Sequence, residues 1–327
     1  MAFSRFRTRF SMHILIWEFH MEQSFTSDAL SNDLIFNGLK GDIIDYVISS
    51  YQVDIRLIYM YFYRPELQVH CSRAYNGIGN ESFIHVHTLK EPGIYHAKFI
   101  LITTTEACRF IVMTTNITDR IVKDCLNDYY MITVPKSKLS APTPFTLRLY
   151  QFLDAFNIGL KSGLNQYDWK GLHANLLISI PTGLNHALCW RSIISTPKRV
   201  RGSAVIRTPT GMLGYDIRKT LRIQDCAFEY NKEWIPDVTQ QTDHPYGIYD
   251  FRHNRDRKTG KDKYTLKVVE SKPFHYKRYT VDYTYPTKKR MLVITSANLT
   301  KQAWGSLKHP SVNAELGITW NSKFSFN

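Results

Sequence analysis

Two distant stretches of this chain carry the same pattern, and that repeat limits the possible folds more than any other feature. Of the 12 histidines, only His96 and His275 have a lysine two positions later, Lys98 and Lys277. Each His-x-Lys leads into an apolar run and then a near-copy of one pentapeptide. The first copy is Thr114-Thr115-Asn116-Ile117-Thr118 and the second is Ser296-Ala297-Asn298-Leu299-Thr300. The step from His to Asn is 20 positions (96 to 116) in one copy and 23 (275 to 298) in the other. A single His-x-Lys is commonplace, but two with the same trailing motif at similar spacing imply a duplicated unit. Such a unit packs about a pseudo-two-fold axis, so two similar halves meeting at one site are expected.

The segments between the motifs give the fold class. Residues 98–102 and 109–113 read as buried strands joined tightly at Thr105 and Glu106, and the β-branched and aromatic run 54–62 reads as another. Pro142 and Pro144 break the chain, after which Leu149, Phe152, Leu153 and Phe156 recur at helical spacing, up to a stop near Gly159. A second cycle begins with a strand over 172–180 and resumes at 291–295. The polar run 252–263 reads as a solvated loop or hairpin. Strands alternating with helices predict an α/β protein with mixed sheets. Its two α/β/α sandwich halves would span 1–160 and 161–327.

Charge points to the partner. Lys and Arg number 42 against 28 Asp and Glu, a formal +14. That excess favours a polyanion, nucleic acid ahead of an anionic membrane surface. No apolar run approaches the roughly 20 residues of a membrane span. Cysteines 71, 108, 125, 189 and 226 form no Cys-x-x-Cys. This argues against a disulfide framework or a structural zinc and fits a reducing compartment. Arg5, Arg7 and Arg9 alternate with Phe6, Thr8 and Phe10, the period of an edge strand with a basic face rather than of an amphipathic presequence. His85 and His87 share a face, but no neighbouring Cys or acid completes a metal-ligand set.

The repeat also carries chemistry. Residues i and i+2 of a strand face the same side, so His-x-Lys sets an imidazole beside an ammonium. An Asn at the end of the next strand returns to the same edge. Pairing of the halves then gathers two imidazoles, two cations and two amides, which suits a phosphodiester. The Lys and Asn groups would bind the non-bridging oxygens and stabilise their charge in the transition state. One imidazole would attack phosphorus, and the other would protonate the leaving oxygen and then deprotonate water. No cofactor or metal is called for, since lysines supply the positive charge and the carboxylate cluster of a two-metal nuclease is absent.

At these residues the chain resembles the phospholipase D superfamily, and within it the tyrosyl-DNA phosphodiesterases. The broader superfamily pattern is His-x-Lys-x4-Asp. Its Asp position is Thr103 in the first copy and Asp282 in the second. The tyrosyl-DNA phosphodiesterases carry His-x-Lys with a later Asn, as both copies do here. The stretch 295–305 (TSANLTKQAWG) closely resembles that family's second motif, and Ala314-Glu315-Leu316-Gly317 is also similar to it. Pro92 departs from the pattern, standing where some members place an aromatic that stacks on DNA.

The resemblance implies a phospholipase D-like fold and one role per residue. His96 would be the nucleophile and His275 the general acid, then base. Lys98, Lys277, Asn116 and Asn298 would hold the phosphoryl group. Glu315 would accept a hydrogen bond from the His96 ring, and Asn127 would orient the other histidine. The implied reaction is hydrolysis of 3′-phosphotyrosyl and other 3′-blocking adducts on DNA, single-stranded or duplex, including topoisomerase–peptide adducts. A monomer acting in the nucleus is expected, with the mitochondrion as a second address and no membrane partner. The rival expectations are a non-catalytic nucleic-acid-binding protein of the same fold and a phospholipase D-like nuclease.

Overall fold

The computed structural model describes residues 13–17, 20–27, 30–77, 81–118, 127–138, 140–181, 202–207, 248–251, 254–255, 262–263, 277–283, 289–297, 303 and 311–322. Two sheets dominate it. The first contains β1 (His13–Trp17), β2 (His20–Ser27), β3 (Ile43–Asp54), β4 (Leu67–Tyr75), β5 (Ile84–Val86), β6 (Phe99–Thr104), β7 (Ala107–Met113) and β8 (Asn127–Pro135). Their spatial order is β1-β2-β8-β7-β6-β3-β4-β5. The pairs β3–β4 and β4–β5 are parallel and the others antiparallel, so this sheet is mixed.

The second sheet contains β9 (Ala174–Ser179), β10 (Gly202–Arg207), β11 (Ile248–Phe251), β14 (Arg278–Tyr283), β15 (Lys289–Thr295) and β16 (Glu315–Ser322). Its order is β11-β10-β14-β15-β16-β9, and every pair is antiparallel. The two-residue strands β12 (Asn254–Arg255) and β13 (Asp262–Lys263) pair as a hairpin inside the polar run 252–263.

Alternation along the central strands builds two cores. Phe99 and Leu101 of β6, with Cys108, Phe110 and Val112 of β7, face one side; Ile100, Ile102, Ile111 and Met113 face the other. Strands buried on both faces read as continuous apolar runs, which is why 98–102 and 109–113 were legible. The first side packs on α3 (Pro144–Ala155) through Phe145, Leu149, Phe152 and Leu153, and beyond it on Leu176 and Ile178 of β9 and Leu316 and Ile318 of β16. That helix begins where Pro144 follows the Thr143 cap, whose hydroxyl accepts from Thr146 N. The second side is covered by Ile35 of α1 (Asn32–Phe36) and by Leu57, Ile58 and Phe62.

The run 54–62 corrects the strand expected there. The extended segment is β3, which ends at Asp54. The Asp54 carboxylate accepts from Arg56 N and starts α2 (Ile55–Leu57), which continues as a π-helical turn over Ile58–Phe62. Ile55, Ile58 and Phe62 are buried while Tyr59, Met60 and Tyr61 are exposed. This is a helical stripe that the continuous apolar composition concealed.

Thr103, at the superfamily's Asp position, donates to the carboxylate of Asp45 on β3 at 2.6 Å. Asp45 also accepts from the backbone N–H of Lys161 (2.7 Å) and Ser162 (2.9 Å). It thereby fastens the segment leaving α3 to the first sheet. Among the described residues no helix is long and apolar enough to cross a membrane. The Arg5–Arg9 alternation and the basic residues Lys198, Arg199 and Arg201 lie outside the described residues.

Candidate active site

The two copies of the motif occupy equivalent strands. Lys98 leads into β6 and Lys277 into β14; β7 is followed by Thr114-Thr115-Asn116 and β15 by Ser296-Ala297. Backbone bonds match one for one. Met113 N donates to Lys98 O at 3.1 Å, and Thr295 N donates to Lys277 O at 3.2 Å. Thr114 N donates to Asp128 O at 3.1 Å, and Ser296 N donates to Leu316 O at 2.9 Å. The hydroxyls repeat the match, because Asp128 N donates to Thr114 Oγ1 and Leu316 N to Ser296 Oγ, each at 3.0 Å. Asn127 and Glu315 are therefore counterparts, each the first residue of the third strand in its copy.

The halves join at the first histidine. His96 N donates to Ala314 O (2.8 Å) and Ala314 N to Ile94 O (2.9 Å), so the segment carrying His96 runs beside the start of β16. This seats the Glu315 side chain on the ring: Glu315 Oε2 accepts from His96 Nδ1 at 2.9 Å. Ser296 Oγ donates to the same oxygen at 2.6 Å, and Asn313 Nδ2 donates to Oε1 at 3.1 Å. Lys98 Nζ donates to His96 Nε2 at 3.0 Å and to His96 O at 3.0 Å, which is the side-by-side placement expected of residues i and i+2. The ring is thus held as the tautomer with Nδ1 protonated and a lone pair on Nε2.

Electrostatics follow from burial. His96, Lys98, Lys277 and Glu315 are all buried. Desolvation lowers the His96 imidazole to about 4; Lys98 and Lys277 push the same way and Glu315 opposes them. Burial and then the Lys277 charge hold Lys98 well below its ordinary range. Burial brings Lys277 to about 7, against the pull of Glu315 and Asp128. Burial pushes Glu315 up, but the combined pull of His96, Lys98 and Ser296 outweighs it, and the carboxyl is held below its usual value. Two lysines crowded beside one another in low dielectric release protons readily, and an arriving anion would favour their protonated forms.

Asn116 is buried, and among the described residues its side-chain oxygen has no hydrogen-bond partner. Asn127 is buried, with Oδ1 accepting from Thr114 Oγ1 at 3.4 Å. His275 and Asn298 lie outside the described residues, as do Phe274 and Trp304. Tyr95, which precedes His96 in sequence, points into the core.

Three neighbours escaped the sequence reading. Ser296 and Asn313 complete the bonds to Glu315. A hydroxyl two residues before each Asn, Thr114 and Ser296, was the available signal for the first. The third is Tyr51, whose ring packs 5.0 Å from that of His96 with Lys98 Nζ 5.9 Å from its centroid. Nothing in the β3 sequence distinguishes it from a core aromatic.

The family model described as tyrosyl-DNA phosphodiesterase matches residues 28–192 and 217–326. The crystal structure of the yeast tyrosyl-DNA phosphodiesterase superposes with a TM-score of 0.55 at 14% identity, covering 87% of this chain and 84% of that one. A mutant of the same yeast enzyme superposes with a TM-score of 0.57 at 13% identity, covering 97% and 89%. At that identity the likeness is one of fold. No curated protein matches the chain in sequence.

Proposed function

The chain belongs to the tyrosyl-DNA phosphodiesterase family and is a phosphodiesterase, and from that membership we propose that it hydrolyses 3′-phosphotyrosyl and other 3′-blocking adducts on DNA through a covalent phosphohistidine. The observation that carries this reading is the setting of His96, with Nδ1 on the Glu315 carboxylate and Nε2 on the Lys98 amine. A phosphate oxygen is a stronger acceptor for Lys98 than an imidazole. Substrate arrival therefore draws Lys98 away and frees the Nε2 lone pair.

In the first step Nε2 attacks phosphorus. The N–P bond forms as the P–O bond to the leaving tyrosine breaks, and His275 gives that oxygen its proton. In the second step His275 takes a proton from water, the new P–O bond forms, and the N–P electron pair returns to His96. The product is a 3′-phosphate. Lys98, Lys277, Asn116 and Asn298 bind the non-bridging oxygens, Glu315 stabilises the charged His96 ring, and Asn127 orients His275. The formal charge of +14 supports binding of the strand. A monomer made of halves 1–160 and 161–327, acting on topoisomerase–peptide adducts in the nucleus and second in the mitochondrion, goes with this reading.

The test is a gel assay on a short single-stranded DNA ending in 3′-phosphotyrosine, with EDTA present. Wild type should yield a 3′-phosphate end and His96→Ala should not. A folded wild-type protein that binds the strand without cleaving it would leave a nucleic-acid-binding protein of the same fold. Cleavage of internal linkages instead would leave a nuclease.

A further inference from the structure

Asn313 is buried just ahead of β16, two residues before Glu315. Both ends of its side chain are used. Nδ2 donates to Glu315 Oε1 at 3.1 Å, and Oδ1 accepts from Ile94 N at 3.3 Å. Its backbone carbonyl accepts from Ser179 Oγ, at the end of β9, at 2.9 Å. One amide thus touches the carboxylate behind His96 and also the backbone two residues before His96.

That amide fits in only one orientation. Turned over, it would set an N–H against Ile94 N–H and an oxygen against a carboxylate oxygen. An ionised Asp offers no donor and Leu offers neither group, so of these three similar shapes only Asn makes both bonds.

The two bonds bear on the same geometry. Glu315 Oε2 is shared by His96 Nδ1 and Ser296 Oγ, whereas Oε1 is held by Asn313. Holding both oxygens fixes the plane of the carboxylate. The segment 94–96 is tied to residue 314 by two backbone bonds, Ala314 N to Ile94 O and His96 N to Ala314 O. The Asn313 side chain adds a third bond to that segment from the strand that carries Glu315. We infer that Asn313 is a positioning residue, which locks the Glu315 carboxylate and the His96 segment in one register so that Oε2 faces Nδ1. The inference rests on the reading of His96 as nucleophile and adds the group that aims it.

The first test reads His96 without turnover, by following its ring nitrogens in the full chain labelled with 15N-histidine, assigned with His96→Ala. Wild type at neutral pH should show one protonated and one bare nitrogen. Asn313→Leu should draw the two shifts toward each other, because a carboxylate free to turn no longer enforces the tautomer. On the 3′-phosphotyrosyl strand the same variant should lower kcat by about tenfold or more, the size of one lost hydrogen bond to a charged group. Binding of a 3′-phosphate strand should stay within about twofold. In a Glu315→Gln background Asn313→Leu should cost no more than about twofold further, as for residues acting through one another.

Asn313→Asp covers the case in which Asn313→Leu does not fold. The titratable groups facing Glu315 are His96 and Lys98 ahead of β6 and Lys277 ahead of β14. All three are common to this variant and wild type, so the ratio of the two kcat values isolates the new carboxyl. Protonated, it donates to Glu315 as the amide does, and the neighbouring carboxylate raises its pKa. The ratio should therefore be near one at about pH 5 and fall as pH rises. A residue that only held strands together would lower kcat equally in both backgrounds and leave the ring shifts in place.

Ring shifts that stay put, wild-type kcat in Asn313→Leu, equal losses in both backgrounds or a flat ratio would each overturn the inference. If the ring shifts move in a chain that never cleaves the phosphotyrosyl strand, the proposed activity falls and the aiming of His96 stands. An active chain with unmoved shifts sinks this inference alone.

Discussion

His96 and Glu315 lie 219 positions apart in the chain, and their side chains meet at 2.9 Å. Each half contributes one member of the pair: the imidazole proposed as the nucleophile in the first, and the carboxylate that sets its tautomer in the second. Glu315→Gln keeps the shape and removes the charge. It should lower kcat by about a hundredfold or more, in line with the loss seen when an orienting carboxylate behind a catalytic histidine is made neutral. Binding of a 3′-phosphate strand should change far less. Steady-state kinetics and a binding isotherm on the same preparation check both halves of this prediction.

Acid should unfold the protein early. Burial holds His96 and His87 neutral down to about 4 and His70 down to about 3, while an unfolded histidine takes its proton near pH 6.5. Between those values the unfolded chain binds protons that the folded chain refuses, so the histidines' share of stability is full above about pH 6.5 and drains away toward pH 4. His96 alone accounts for about 3 kcal/mol. Urea melts across that range should show the fall, and His70→Phe should flatten it.

Activity and stability should part company above neutrality. Lys277 loses its proton near 7 when folded and near 10.4 when unfolded. The sign for stability is a rise with pH across that window, because the unfolded chain carries the extra proton. Phosphate binding needs that proton, so kcat/KM should fall with rising pH over the same range, by up to tenfold per unit. A pH–rate profile set beside melts at matching pH values checks the divergence. Two curves rising together would contradict it.

Gly93 stands where backbone meets backbone. A Cβ there would lie 2.2 Å from Val312 O and 3.0 Å from Lys90 O. Gly93→Ala must therefore push residues 94–96 away from 312–314, the contact that seats Glu315 on His96. A shift near 1 Å at such a contact costs roughly a hundredfold in rate. The expected result is a fall in kcat of that order in a protein that still folds, with circular dichroism as the control.

The arrangement of side chains around His96 was more legible in the sequence than the scaffold was. The i, i+2 rule placed Lys98 beside His96, and the pairing of Glu315 with His96 agrees with what the resemblance implied. The strands β6, β7, β9 and β15 and the helix α3 were visible because central strands and a Pro-started amphipathic helix leave strong patterns. The β3 strand was missed because its 12 residues mix Asp45, Ser49, Ser50 and Gln52 among apolar ones. Those polar groups are satisfied by residues far away in sequence, such as Ser49 with Tyr95 and Asp45 with Ser162. The helical turn after it was mistaken for a strand because its start depends on one carboxylate, Asp54. Asn313 gave no signal at all, since its partner Ile94 lies 219 positions away.

The distance between His96 and Glu315 along the chain also bears on synthesis. On the proposed mechanism, a ribosome releases the nucleophile long before the strand that activates it. Throughout that interval the emerging chain carries an imidazole with no carboxylate at Nδ1, and therefore no primed attack on the nucleic acid around it. Chemical competence arrives in one late event, when β16 docks beside residues 94–96. On that mechanism a partly made copy of this protein is inert until the strand docks.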